Sequence, residues 1–504
     1  MVKLLNVLFM VDKLCYNVKH VFGRGLYAIT FLEGLSVKST SIAVFLCLTK
    51  KEREEMNRLS KTQILSIGLM MFSIFFGAGN LIFPPALGQS AGTNVVPAIL
   101  GFLVTGVGLP LTGIVAIALQ GGKYTEFIQE HVGSLAALTL LSVLYLTIGP
   151  LFAVPRTGAV SFEIGIKPFM TPDQETIGLL VYSALFFLAT YFLALNPSKL
   201  IDRVGKILTP ILLIFLALLF YRTFVSPIGP ISDAVGKYAA APFAQGFQDG
   251  YLTMDLLAAI SVGAIVVNTV RELGVKDTVS IGKVCFYGEC IAAVLMSIVY
   301  LSLSYLGATS TSVFGLMDNG GQVLATSAGY FFGNSGSVIL GVIIVFACLT
   351  TSCGMVSGAA WFFNKASNNR ISYQRIVLFS SLFSFAASNI GLTDLIRFSV
   401  PFLTTIYPIV IVLVILSLFS SHIGGRNAIY QWSLAFTFAF SVFDGLNAAG
   451  MNVAFVNDLF KQYIPFYSVN LGWIVPAVVG AIIGFLRSMN NTPRAEANND
   501  PVVE

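Results

Sequence analysis

Charge is scarce in this sequence. Of its 504 residues 11% are Asp, Glu, Lys or Arg, while 56% are hydrophobic and the mean hydropathy is +0.83. Soluble domains carry about 25% charged and about 45–50% apolar residues. A soluble 54.2 kDa chain could not hide this much apolar surface behind so few charges, so that class is excluded. Histidine is also sparse. His20, His131 and His422 are scattered, and the six cysteines show no CxxC or CxxH spacing, which leaves metal binding and thiol chemistry without a motif. Cys285, Cys290, Cys348 and Cys353 fall within apolar runs, where cysteine behaves as a small buried hydrophobe. No nucleophile–base constellation and no cofactor motif is present, so neither an enzyme nor a resident cofactor is expected.

What the sequence does have is long hydrophobic runs. No charged residue occurs between Lys61 and Lys123, an interval that holds two spans and a short loop, since a helix crosses the hydrocarbon with about 20 residues. Apolar windows lie near 62–89, 95–120, 135–155, 176–196, 207–224, 251–270, 284–307, 337–363, 376–393, 398–420, 427–443 and 468–486. They predict twelve spans in an all-α integral membrane protein. The short alternating strands of a β-barrel are missing. With both termini in the cytoplasm, the inner loops and flanks carry 18 Lys and Arg against 6 outside, the asymmetry of the positive-inside rule. The net charge of +5 therefore reads as topology, with a lipid bilayer and not a nucleic acid as the partner.

Residues 56–487 form a single transmembrane domain without an internal boundary. Residues 1–55 are an extension whose apolar stretch is cut short by Asp12 and Lys13, a poor signal peptide. They read best as lying before a true start at Met56. Residues 488–504 are a polar, disordered cytoplasmic tail. The most polar internal stretch, 308–336, is expected as an external loop, either an ordinary cap or a short hairpin over an entrance.

Within this apolar chain the stretch FFGAGNLIFPPALGQSAG, residues 75–92, holds four glycines and two adjacent prolines. A membrane helix tolerates such residues where the freed backbone groups find protein, water, an ion or a substrate; otherwise they make a kinked packing helix whose small residues admit a neighbour. The sixth span, GYLTMDLLAAISVGAIVVNTV, has Ser261-Val262-Gly263-Ala264 near its centre. Paired irregular spans that open two groups of five point to inverted repeats, about 62–225 and 251–420, with a midplane binding site between them; 427–486 would be two appended helices. In the eighth span Thr350, Thr351 and Ser352 place three hydroxyls on one turn. These suit a Na⁺ cage or bond back to their own helix.

Charges in or beside spans need partners. Asp255 reads as a vestibule residue, a ligand for the coupling ion or a substrate ammonium, or an interfacial helix N-cap. Arg156 and Glu163, seven residues apart, lie on one face and form either a gate pair or an ion pair that pins the third span. Glu289 reads as a cytoplasmic interface anchor near Lys283 and Arg271.

The stretches FFGAGNLIFPPALGQSAG, GPLFAVPRTGAVSFEIGI (149–166), GYLTMD (250–255) and CLTTSCG (348–354) together resemble the BrnQ-type branched-chain amino acid–cation symporters, the LIVCS family. The likeness runs over about residues 56–487. It implies a LeuT-like fold of the amino acid–polyamine–organocation type: five plus five inverted spans, discontinuous first and sixth helices, and two appended spans. It further implies uptake of leucine, isoleucine and valine, with methionine or other large neutral amino acids as the alternative, by symport with Na⁺ or H⁺ across the inner membrane. On that resemblance the substrate carboxylate meets backbone at Gly77, Ala78, Gly79 and Asn80. Ser261, Val262 and Gly263 wall the side-chain pocket, and a cation lies among Thr350, Thr351 and carbonyls near Ser73 and Phe76. A membrane-embedded enzyme or a channel is the competing class, but no polar set at one depth and no repeated pore ring supports either.

Overall fold

The first helix begins at a capping box. Ser60 Oγ accepts from the Gln63 amide at 3.1 Å and Gln63 Oε1 accepts from the Ser60 amide at 2.7 Å, which satisfies two of the amides a helix start leaves over. The computed structural model describes residues 59–195, 199–451 and 454–489. The extension 1–55, the start at Met56 and nearly all of the tail lie outside the described residues. Among the described residues every regular element is helical.

In chain order the first span is α1 (Lys61–Phe75) and α2 (Ala78–Ala91). The second is α3 (Val95–Leu103) and α4 (Leu109–Leu119), joined by a π-turn. After the short α5 (Tyr124–Val132), the third is α6 (Ser134–Leu146) and α7 (Ala153–Gly165). Next come α8 (Glu175–Leu195) and α9 (Lys199–Val225). The sixth span is α10 (Pro242–Asp249), a 3₁₀ turn Gly250–Thr253, and α11 (Asp255–Glu272), bent by 43°. The remaining long helices are α12 (Thr278–Phe314), α13 (Gly320–Ala366), α14 (Tyr373–Ser388), α15 (Leu392–Leu418), α16 (Asn427–Ala448) and α17 (Ile474–Met489).

Helices thus occupy all twelve windows. Among the described residues six helical runs are long and apolar enough to cross a membrane, one of them the 42-residue Ala78–Leu119 that contains two of the windows, and the bent pair makes a seventh. The outer faces are apolar, with Leu185, Phe192, Ile214 and Phe379 each more than half exposed, as befits helices whose backbone is satisfied internally and whose side chains face lipid.

The centre is built around α12, which packs on α1, α2 and α4, while α7 runs along α13. Glycine makes the α2–α12 contact possible: a Cβ at Gly88 would lie 2.0 Å from Ser304 O, and one at Gly307 would lie 2.1 Å from Pro85 O. The outer part of the glycine–proline stretch is therefore close helix packing. The inner part is a true interruption.

Two expectations need correction. The third span does not end near residue 155: after non-helical Gly149, which Pro150 follows, it resumes as α7 to Gly165, so Arg156 lies inside the bundle, 4% exposed. The stretch 308–336 is mostly helix. Its turn is confined to 315–319, Asn319 Oδ1 caps α13 by accepting from the Gln322 amide at 3.1 Å, and α13 bends at Gly333, whose φ of 62° glycine adopts without strain.

Candidate functional site

The first break falls at Phe76 and Gly77, both extended, with φ/ψ of −73°/91° and −119°/−168°. The half-helix α2 therefore opens at Ala78, and its first amides have no intrahelical acceptor. The Gly77 amide donates to Asn80 Oδ1 at 2.9 Å. The amides of Ala78, Gly79 and Asn80 meet no acceptor among the described residues.

The second break is not where the small-residue run suggests. It lies at Met254, whose φ/ψ of 63°/15° is left-handed, between the 3₁₀ turn and α11. Ser261, Val262 and Gly263 sit inside the continuous α11. Ser261 Oγ donates to Ala258 O at 2.8 Å, and a Cβ at Gly263 would lie 2.5 Å from Ile117 Cδ1 on α4. That run is a helix-packing patch, and none of its three expected pocket residues lines the cavity.

The two breaks face one cavity. Its polar lining comes from Asn80, Arg156, Thr157, Thr253, Asp255 and Thr351; its apolar lining includes Ile74, Ile148, Met254, Ala258 and Met355. Gly77, Ala78 and Gly79 border it; Thr350, Ser73 and Phe76 do not. Thr350 Oγ1 and Thr351 Oγ1 both donate to Ala347 O, at 2.9 and 3.0 Å. Their hydrogens are committed within the helix, and oxygen lone pairs are what remain to offer.

Asn80 joins the breaks. Its Nδ2 donates to Asp255 Oδ2 at 2.7 Å and also bonds the Tyr300 hydroxyl. Tyr300 OH donates to the same Oδ2 at 3.2 Å. The Thr253 hydroxyl also lies against this carboxylate, and among the described residues the bonds that Asn80 and Tyr300 donate both go to Oδ2. Below it, the Leu256 amide donates to Tyr407 OH at 3.3 Å. Asp255 is 3% exposed and lines the cavity; it is not an interfacial cap.

Arg156 Nη1 donates to Leu252 O at 2.7 Å, at the last turn before the sixth-span break. Its guanidinium lies 5.1 Å from the Phe83 ring centroid, and its buried Nε has no hydrogen-bond partner among the described residues. The expected Arg156–Glu163 pair does not form. Seven residues span about 10 Å along a helix, so one face is not one place. Glu163 instead accepts from Lys167 Nζ at 3.1 Å and from Gln322 Nε2 at 2.8 Å. Glu289 is likewise no interface anchor: it is 3% exposed and its Oε2 has no hydrogen-bond partner among the described residues.

Sequence reasoning missed Tyr300, Thr157, Met254 and Ile148. Tyr300 and Ile148 are single residues in apolar runs, and only tertiary packing brings them to the cavity. Thr157 stood beside Arg156 in a quoted motif, and Met254 in GYLTMD, but neither residue type signals a break.

Helices interrupted in the first and sixth spans around one cavity are the architecture of the LeuT-type fold. Among solved structures, the chain resembles Mhp1, a nucleobase-cation-symport-1 family transporter captured closed with bromovinylhydantoin bound. The TM-score is 0.53 at 13% identity, covering 84% of this chain and 92% of that one. At that identity the likeness concerns the fold alone.

Sequence comparison carries the assignment further. A family model described as branched-chain amino acid transport protein matches residues 60–491. The chain is 46% identical to the branched-chain amino acid permease BrnQ of Bacillus subtilis, over 86% of this chain and 99% of that protein. It is 41% identical to the branched-chain amino acid transport system 2 carrier protein of Pseudomonas aeruginosa, over 85% and 96%. The chain belongs to the branched-chain amino acid transport protein family. It is a multi-span membrane transporter and not an enzyme, as the resemblance implied.

Proposed function

We propose that this protein imports leucine, isoleucine and valine across the inner membrane by symport with Na⁺ or H⁺, through alternating access. Twelve crossings and two cytoplasmic termini complete the reading, supported by the twelve helical windows and the excess of Lys and Arg on one set of loops. The single observation that carries it is the cavity at the junction of the two breaks, where the amides of Ala78, Gly79 and Asn80 are open. A half-helix N-terminus with free amides attracts a carboxylate. Ile74, Ile148, Ala258 and Met355 offer the apolar side a branched chain needs.

Coupling follows from position. Thr351 borders the cavity against the first break: a Cβ at Gly77 would lie 3.7 Å from its Cγ2. A cation held by Thr351 oxygen and first-break carbonyls would tie α13 to the discontinuous span, so that ion and substrate stabilise the same closed arrangement. Met254 and Met355 are flexible side chains that re-pack easily, and this favours methionine as a second substrate.

Counterflow of labelled leucine in proteoliposomes, with and without a Na⁺ gradient and then a pH gradient, tests the reading. Saturable uptake that follows one gradient is expected. Absence of exchange for every large neutral amino acid would sink it.

A further inference from the structure

The cavity holds two opposite charges that do not pair with each other. Arg156 and Asp255 both line it, both are nearly fully buried, and neither forms an ion pair with a described residue. Their protein partners are neutral. Asp255 Oδ2 accepts from Asn80 and Tyr300, and Oδ1, with only the neutral Thr253 hydroxyl near the carboxylate, keeps acceptor capacity toward the cavity. Arg156 spends Nη1 on Leu252 O, while a Cβ at Gly79 would lie 2.9 Å from Nη2. That space beside the open amides is kept by the absence of a side chain. Burying a charge without a counter-charge is costly, so two such groups in one cavity call for a ligand that supplies both complements.

The geometry points to a charge clamp: Arg156 Nη2, with the amides of Ala78–Asn80, takes the carboxylate of a zwitterion, and Asp255 Oδ1 takes its ammonium. The inference rests on the amino acid transport reading and deepens it. It makes two side chains, in addition to backbone, the determinants of specificity for α-amino acids. The clamp is neutral with a zwitterion bound. A ligand with only one charged end leaves Arg156 or Asp255 uncompensated.

Three ligands of one carbon skeleton test the clamp: leucine, 4-methylpentanoate, which lacks the ammonium, and isoamylamine, which lacks the carboxylate. Displacement of labelled leucine is measured on the full chain in nanodiscs. For the unaltered protein both analogues should be at least about 100-fold weaker than leucine, a lower bound for sites built to bond a group the analogue lacks, which reject it by up to about 10⁴- to 10⁵-fold. Asp255→Asn should weaken leucine about 30-fold or more and bring 4-methylpentanoate to within a few-fold of leucine. Arg156→Gln should do the same for isoamylamine, and Arg156→Lys should restore part of the leucine affinity.

Either analogue matching leucine on the unaltered protein would overturn the clamp while leaving transport standing. So would folded, monodisperse Asp255→Asn and Arg156→Gln proteins that bind leucine within threefold of the parent. If a variant does not fold, the analogue panel on the unaltered protein decides alone. Failure of the parent to bind any large neutral amino acid would instead remove the transport reading on which the clamp rests.

Discussion

The two helix breaks are built by opposite means. In the first span the chain opens at Phe76 and Gly77, Asn80 hydrogen-bonds across the opening, and three amides meet no acceptor among the described residues. In the sixth the break is stitched: Arg156 caps Leu252 O, Thr253 Oγ1 donates to Gly250 O at 2.9 Å, and Tyr407 receives the Leu256 amide. The non-glycine Met254 is held in the left-handed region, a conformation that costs about 1–2 kcal/mol and persists where surroundings over-determine it. One break leaves bare backbone amides at the cavity. The other is a frame that positions charged side chains.

The largest effect is expected where the two meet. Asn80 bonds the open break through Oδ1 and the framed one through Nδ2. Asn80→Ala removes both bonds and leaves Asp255 with one neutral donor fewer. A hydrogen bond to a charged group contributes about 1.5–3 kcal/mol, so the leucine concentration for half-maximal uptake should rise about 10- to 100-fold. Uptake kinetics in proteoliposomes would check this. An unchanged half-saturation would mean that the breaks act separately.

A smaller, sharper contrast lies within the open break itself. At Gly77 a Cβ meets nothing closer than 3.7 Å, whereas at Gly79 it meets Arg156 Nη2 at 2.9 Å. Gly79→Ala should displace the guanidinium and weaken leucine uptake about tenfold. Thermal stability should barely fall, because the atom that must move ends a flexible side chain and alanine gains about 1 kcal/mol over glycine in a helix. Gly77→Ala should keep uptake within about threefold. Equal losses for both would show that Arg156 does not act at this break.

The same contrast explains what could be read from the sequence. The first break was legible because its residues, Gly-Ala-Gly-Asn followed by Pro-Pro, are chemically unsuited to an uninterrupted helix. The sixth was misplaced because the residue at the break is a methionine, held in place by contacts from α7 and α15. The small residues of Ser-Val-Gly-Ala serve contact with α4. Helical periodicity put Arg156 and Glu163 on one face without their axial separation, and it carried no sign that Gly149 and Pro150 interrupt the third span. Twelve windows were legible from apolarity. The cavity lining depends on which helices touch, and a single chain does not encode that locally.

The smallest expected effect separates pocket from packing. Ser261 lies in the continuous α11, its hydroxyl spent on Ala258 O, while Thr351 borders the cavity beside the first break. Ser261→Ala exchanges a local helix bond for a better helix former, so leucine half-saturation should stay within about twofold and stability within about 0.5 kcal/mol. Thr351→Ala removes an oxygen next to the open break, and the Na⁺ concentration for half-maximal uptake should rise several-fold if Na⁺ is the coupling ion. Both are read from leucine uptake titrated with leucine and then with Na⁺. A Ser261 variant that shifts leucine affinity as strongly as Gly79→Ala would return the side-chain pocket to the middle of α11. The framed break at Met254 would then be a hinge beside the site and not its wall.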